Sequence, residues 1–302
     1  MDINMKVNIA GVELKNPVMT ASGTFGSGME YSELTDLNAL GAVVTKGVAA
    51  VPWTGNPVPR TAETPSGMLN AIGLQNPGID TFLERDLPFL RQFDTKIIVN
   101  VCGHSVKEYC EVCERLADSD ADLLEINISC PNVQQGGIAF GQQPKEAEKI
   151  TREVKRVARQ PVIMKLSPNV TDITEIARAC EAGGADALSL INTITGMKID
   201  VGRRTFALAN RTGGLSGPAI HPVAVRMVWQ TAQAVSLPLI GMGGTASWED
   251  AAELILAGAT GVAVGTATFR DPQCGQKIAE GLEQYLRDQG IGDIRDLIGA
   301  VR

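Results

Sequence analysis

The sequence predicts a closed (β/α)8 barrel, a TIM barrel, and three observations carry that prediction. Short apolar and β-branched runs alternate with longer amphipathic segments, the signature of βα units and a parallel sheet. Eight such runs are spaced along the chain: Val18–Ala21, Ala42–Lys46, Ile97–Val101, Leu123–Ile128, Val162–Leu166, Ala187–Asn192, Leu239–Met242 and Gly261–Thr266. Three joints look alike, Leu40-Gly-Ala42, Ala182-Gly-Gly-Ala185 and Ala257-Gly-Ala259, with glycine where a helix ends and alanine where the next strand starts. An open doubly wound sheet is the alternative. Eight parallel runs favour closure.

In chain order, Val7 to Leu14 reads as a small β-hairpin plugging the bottom of the barrel. The connection after the second run, Gly47 to Phe93, is a long insertion that starts with Pro52, Pro57, Pro59 and Pro65. Long excursions in compact domains are usually lids or binding loops. Helical patterns follow over Ser105–Ala117, Lys145–Ala158, Ile173–Ala182, Ala219–Ala234 and Trp248–Ala257. No boundary or low-complexity stretch interrupts them, so residues 1–302 are expected to form a single domain.

Composition narrows the function. A net charge of −7 with a pI near 5.0 argues against a nucleic-acid surface, which needs a strong positive field. Hydrophobic residues make up 44% of the 302, and charged residues only 20%, enough for a large core. Six cysteines without small-scaffold spacing suggest free thiols in a reducing compartment. Met1 to Lys6 lacks the basic start and apolar core of a signal peptide. The longest uncharged stretch, Leu254 to Phe269, is too short and glycine-rich to span a bilayer. A soluble, cytoplasmic protein is expected, with neither nucleic acid nor membrane as partner. The two histidines, His104 and His221, lack metal-ligand spacing, so no metal site is expected. Cys110 and Cys113 form a Cys-x-x-Cys within a helical pattern and read better as a core or helix-face pair.

The run ends carry the chemistry. They are Ser22, Lys46, Asn100, Asn127, Lys165, Asn192 with Thr193, Gly243-Gly244 and Gly265-Thr266. In a parallel barrel these all lie at the C-terminal face, where active sites of this fold form. Lysines seldom sit buried without a partner, so packing alone explains the set poorly. Gly241-Met-Gly-Gly-Thr245 and Gly265-Thr266 bring bare backbone to helix starts, an arrangement that favours a bound phosphate. The fourth run stops at Cys130-Pro131, because proline removes a backbone donor, and a glycine-bearing loop, Val133 to Gly137, follows. Two readings stand for Cys130: a small buried hydrophobe that ends a strand, or a reactive thiol under a mobile loop.

Several motifs in one order resemble the dihydroorotate dehydrogenase family, essentially end to end. They are Ala21-Ser-Gly-Thr-Phe-Gly26, Thr45-Lys-Gly47, Asn70-Ala-Ile-Gly-Leu-Gln-Asn-Pro-Gly78, Asn127-Ile-Ser-Cys-Pro-Asn132, Asn192-Thr193, Gly213-Gly-Leu-Ser-Gly-Pro218 and Gly241-Met-Gly-Gly244. Cys130 points to the soluble class 1 enzymes, since the membrane class has serine there and an N-terminal membrane segment. Asn192 to Asp200 and Arg203-Arg204 resemble class 1B, the NAD-linked type. Its partner subunit carries FAD and a [2Fe-2S] cluster, around a homodimer core within a heterotetramer. The homodimeric fumarate-dependent type and a non-catalytic phosphate-ligand-binding barrel are the alternatives.

The resemblance implies oxidation of dihydroorotate to orotate in pyrimidine biosynthesis, with one FMN per chain. Cofactor contacts carried over are Ser22, Lys46, Gly47, Asn100, Asn127, Lys165, Ile191, Gly217, Gly243, Gly244, Gly265 and Thr266. Substrate contacts are Lys46, Asn70, Ala71, Ile72, Gly73, Leu74, Asn127, Asn192 and Thr193. Cys130 would be the general base while FMN N5 accepts the hydride. A thiol of ordinary pKa, about 8.5, is mostly protonated at neutral pH, so such a base predicts a rate that rises with pH.

Overall fold

The computed structural model describes residues 2–129 and 140–301. A hairpin, β1 (Val7–Ile9) and β2 (Val12–Leu14), precedes the first two barrel strands, β3 (Val18–Thr20) and β4 (Ala42–Val44). The long second connection holds β5 (Thr61–Thr64), β6 (Gly67–Asn70) and two short helices, α1 (Ile79–Thr81) and α2 (Leu87–Leu90). Strands and helices then alternate: β7 (Lys96–Val101), α3 (Val106–Leu116), β8 (Leu123–Asn127), α4 (Pro144–Val157), β9 (Val162–Lys165), α5 (Ile173–Ala182) and β10 (Ala187–Leu190). A second excursion carries β11 (Ile194–Met197), β12 (Ile199–Asp200), β13 (Thr205–Phe206) and β14 (Thr212–Ser216). Helix α6 (His221–Ala232), β15 (Leu239–Met242), α7 (Trp248–Leu256), β16 (Gly261–Val264) and α8 (Cys274–Gln289) complete the chain.

Strands β3, β4, β7, β8, β9, β10, β15 and β16 close in that order into one parallel barrel. All eight runs expected from the sequence are these strands. Nearly every residue in them is buried, because helices cover the outside and side chains fill the inside. The helices show why their patterns were legible. In α3 the buried residues are Tyr109, Val112, Cys113 and Leu116, one face at helical spacing, and Ser105 caps its start by accepting from the Glu108 N–H. A capping box of Ser247 and Asp250 starts α7. The glycine joints also form, though Gly41 follows a single 3-10 turn rather than an α-helix. A Cβ at Gly41 would collide with the Asn16 carbonyl, so close backbone approach, not helix termination, requires glycine there.

The hairpin lies at the N-terminal end of the barrel, where the buried Ile9 reaches Gly261 at the start of β16. The two excursions meet at the opposite end. There β5 and β6 join β14 and β11 in a four-stranded antiparallel sheet, with Leu69 opposite Leu215 and Gly214 opposite Asn70. Leu69, Ala71 and Leu208 give this roof a small core of its own, separate from that of the barrel. Among the described residues no helix is long and apolar enough to cross a membrane.

Candidate active site

Between the roof and the C-terminal ends of the barrel strands lies a cavity of about 1370 Å³. Its floor and walls include Ser22, Lys46, Gly47, Asn127, Lys165, Ile191, Asn192 and Thr193. Gly217, Gly243, Gly244, Gly265 and Thr266 line it from the last two strands and the turn before α6, and Asn70, Ile72, Gly73 and Leu74 line it from the second connection. Two residues expected to touch ligand lie behind this wall. Ala71 is buried in the roof's core, its N–H donating to the Arg60 carbonyl and its carbonyl accepting from Asn56 Nδ2. Asn100 is fully buried on β7, next to Gly47. Cys130 and the loop Val133 to Gly137 lie outside the described residues.

The segment leading to Cys130 is firmly tied. Tyr109 donates to the Asn127 carbonyl at 2.7 Å from α3. Ser129 Oγ donates to Asn127 Oδ1 at 2.8 Å and accepts from Asn192 Nδ2 at 2.5 Å. The Asn192 Oδ1 accepts from the Thr193 N–H. Two carboxamides are thereby oriented by one serine, and Asn127 keeps its Nδ2 donor for an acceptor in the cavity.

Beneath them runs a buried polar chain that the strand-end reading missed. Lys165 Nζ donates to Ser22 Oγ at 3.1 Å and pairs with Glu125 Oε2 at 3.5 Å. Glu125, inside β8, also accepts from Asn100 Nδ2 at 2.5 Å and from Ser189 Oγ at 2.7 Å. Its signal was present: an acid inside the run Leu-Leu-Glu-Ile-Asn, two residues before Asn127 and so on the same face of the strand.

The glycine turns supply the other wall. Gly217, Gly243 and Gly244 take left-handed φ values of 99°, 129° and 76°. A Cβ at Gly244 would lie 2.8 Å from both the Gly217 carbonyl oxygen and the His221 Cβ. His221 reaches back through Nδ1 to the Gly243 carbonyl at 2.9 Å and so braces the turn. Thr266 Oγ1 donates to Ser216 Oγ at 2.7 Å, joining the end of β16 to the roof. Asn100 Oδ1 and Thr245 Oγ1 are among the buried atoms with no hydrogen-bond partner in the described residues.

Three other thiols are poor bases. Cys274 lines the rim of the cavity, and burial, then the nearby Asp271 carboxylate, pushes it up to about 11. Burial pushes Cys180 up to about 12 and Cys113 further still. Among the described residues no group of three or more His, Cys, Asp or Glu is placed to hold a metal.

Known proteins share this plan. The family model described as dihydroorotate dehydrogenase matches residues 4–286. The catalytic subunit of dihydroorotate dehydrogenase B (NAD(+)) from Lachnoclostridium phytofermentans is 68% identical over 300 residues, covering 99% of this chain and 100% of that protein. The proteins of the same name from Alkaliphilus metalliredigens and Geotalea uraniireducens are 62% and 56% identical, each covering 99% of this chain and 99% and 98% of their own lengths. A DHODH from Eimeria tenella, solved with ferulenol, superposes with a TM-score of 0.81 at 23% identity, covering 98% of this chain and 88% of that one, and so shares the fold. With motifs, barrel and cavity in agreement across nearly its whole length, the chain belongs to the dihydroorotate dehydrogenase family.

Proposed function

We propose that this chain oxidises dihydroorotate to orotate in pyrimidine biosynthesis, as the FMN-bearing catalytic subunit of an NAD-linked enzyme. One observation carries the reading: Lys46, Lys165, Asn127 and Asn192 converge on a cavity whose far wall is built of glycine turns. A flat, phosphorylated cofactor fits that donor set. The turns at Gly217, Gly243–Gly244 and Gly265–Thr266 suit a phosphate, whose charge backbone N–H groups and helix starts favour. Lys165 suits the electron-rich pyrimidine edge of the ring, and Thr245 Oγ1 in the lining, without a hydrogen-bond partner among the described residues, suits a polar ligand group. FMN, when bound, supplies the hydride acceptor.

The chain's own residues do the rest. Lys46 attracts the substrate carboxylate, and Asn127 and Asn192, held by Ser129, grip the urea-like edge of the ring. Asn70 and the turn Ile72–Leu74 close over it from the second connection. Cys130 takes the proton from the ring carbon beside the one that gives up hydride. The continuous barrel core supports one FMN-binding domain over residues 1–302. The relatives are named catalytic subunits, which supports a partner subunit; we assign it FAD and a [2Fe-2S] cluster, around a homodimer core in a heterotetramer. Five described cysteines are free thiols, in keeping with the reducing cytoplasm.

The test is an absorbance spectrum of the purified chain. Flavin bands that bleach on adding dihydroorotate, and that NAD restores only with the partner subunit present, are expected. A colourless chain that takes up no FMN would overturn the reading. Reoxidation by fumarate would assign the chain to the homodimeric type instead.

Gly244→Ala tests the phosphate wall. A side chain at φ 76° is strained, and its Cβ would press on Gly217 and His221. FMN affinity is expected to fall at least about tenfold, equivalent to about 1.4 kcal/mol, by fluorescence titration. Unchanged affinity would place the phosphate elsewhere.

A further inference from the structure

We propose that Glu125 is a positioning residue of the cofactor site: one buried carboxylate fixes the Lys165 ammonium and the Asn100 amide and sets the charge beneath the bound ring. The proposal rests on the reading that the cavity holds FMN.

Four neighbouring strands meet at this carboxylate. Asn100 stands opposite Glu125 on β7, Lys165 ends β9, and Ser189 sits on β10 beside Lys165. Glu125 is 1% exposed, and each group bonded to it is a donor: an amide N–H, an ammonium and a hydroxyl. A carboxylate only accepts, so it suits three converging donors as no neutral side chain of its size does. Stability does not explain its presence. Replacing a buried ion pair with apolar residues of similar volume is often neutral or stabilising.

The geometry does explain it. With Nδ2 held by Glu125, Asn100 must turn Oδ1 the other way. That oxygen is buried, unpartnered among the described residues, and faces Gly47 in the cavity wall, where a Cβ would come within 3.1 Å of it. Glu125 thus presents Asn100 as an acceptor rather than a donor. It also holds Lys165 Nζ against Ser22 at the cavity floor and offsets part of its charge. In a low-dielectric interior such an offset acts strongly on a ring that gains negative charge on reduction.

Glu125→Gln and Glu125→Asp, each in the full chain loaded with FMN, separate these roles. In Glu125→Gln the carboxamide N–H2 opposes one of three donors, so Asn100 flips or lets go. FMN affinity is expected to fall about tenfold. With Lys165 no longer offset, reduced FMN should gain about tenfold in affinity relative to oxidised FMN. That is a rise of about 30 mV in midpoint potential, since a two-electron couple shifts 29.6 mV per decade. Glu125→Asp keeps the charge but withdraws it from Asn100, so affinity should fall while the potential stays at the wild-type value. Wild-type potential and affinity in both variants, whatever their melting temperatures, would overturn the proposal. Failure of the wild-type chain to bind FMN would instead overturn the functional reading beneath it.

Discussion

Cys130→Ala is expected to keep FMN and orotate and to lose about 10²- to 10⁴-fold in the rate of flavin reduction by dihydroorotate, the usual contribution of a positioned general base. Binding should survive because the groups that grip the ring do not depend on residue 130. Asn127 is fixed by Tyr109 and Ser129, and Asn192 by Ser129 and the Thr193 N–H. The thiol that lines the cavity rim is not suited to take over. Cys274 lies at the rim, and a thiol pushed up to about 11 remains protonated at neutral pH. Cys274→Ala should therefore reduce its flavin at the wild-type rate. The pH profile gives a second readout. A thiol must lose its proton to act as base, so the wild-type rate should climb as pH rises toward the ordinary thiol range near about 8.5. The residual rate of Cys130→Ala should lack that climb. Stopped-flow absorbance measures both, and near-normal reduction in Cys130→Ala at neutral pH ends the assignment.

The barrel was legible because its strands are buried on both faces and therefore read as largely apolar runs, such as Gly261–Val264. The roof was not. Its strands Thr61–Thr64 and Gly67–Asn70 flank Pro65, lie half exposed, and pair with Ile194–Met197 and Thr212–Ser216, each rich in glycine or threonine. Such segments carry weak strand propensity, and the pairing of β6 with β14 that joins the two halves spans more than a hundred residues, so only the tertiary structure reveals the sheet. The excess length of the second connection did mark it as a binding element, and Asn70 and Leu74 line the cavity.

The site was legible where a polar residue closes an apolar strand. Reading only the last residue of each strand has a cost, seen at Glu125. Residues two apart point to the same side of a strand, so an acid two before Asn127 also faces the barrel interior. Asn100, expected among the cofactor contacts, stands fully buried behind Gly47, where a Cβ would come within 3.1 Å of its Oδ1. Ala71 followed from its place in a motif rather than from its own chemistry. Its methyl packs with Leu69 and Leu208 because the strand ends there and its backbone is committed to Arg60 and Asn56.

Lys165→Ala is expected to be the most damaging single change at the cavity floor, for two separable reasons. The first is stability. Removing one member of a buried ion pair leaves Glu125 uncompensated at 1% exposure, a loss that typically costs about 3–5 kcal/mol. The second is function. Without the ammonium, the carboxylate becomes the dominant charge beneath a ring that turns electron-rich on reduction, so FMN should be bound weakly and reduced slowly. The double variant Lys165→Ala/Glu125→Gln separates the two. Neutralising the orphaned carboxylate should restore much of the melting temperature, giving a large coupling in a double-mutant cycle. It should not restore the rate of reduction, because the cation itself is still missing. Full flavin content and wild-type reduction in Lys165→Ala would remove the lysine from the flavin edge. Recovery of rate as well as stability in the double variant would mean that the lysine serves only to neutralise Glu125.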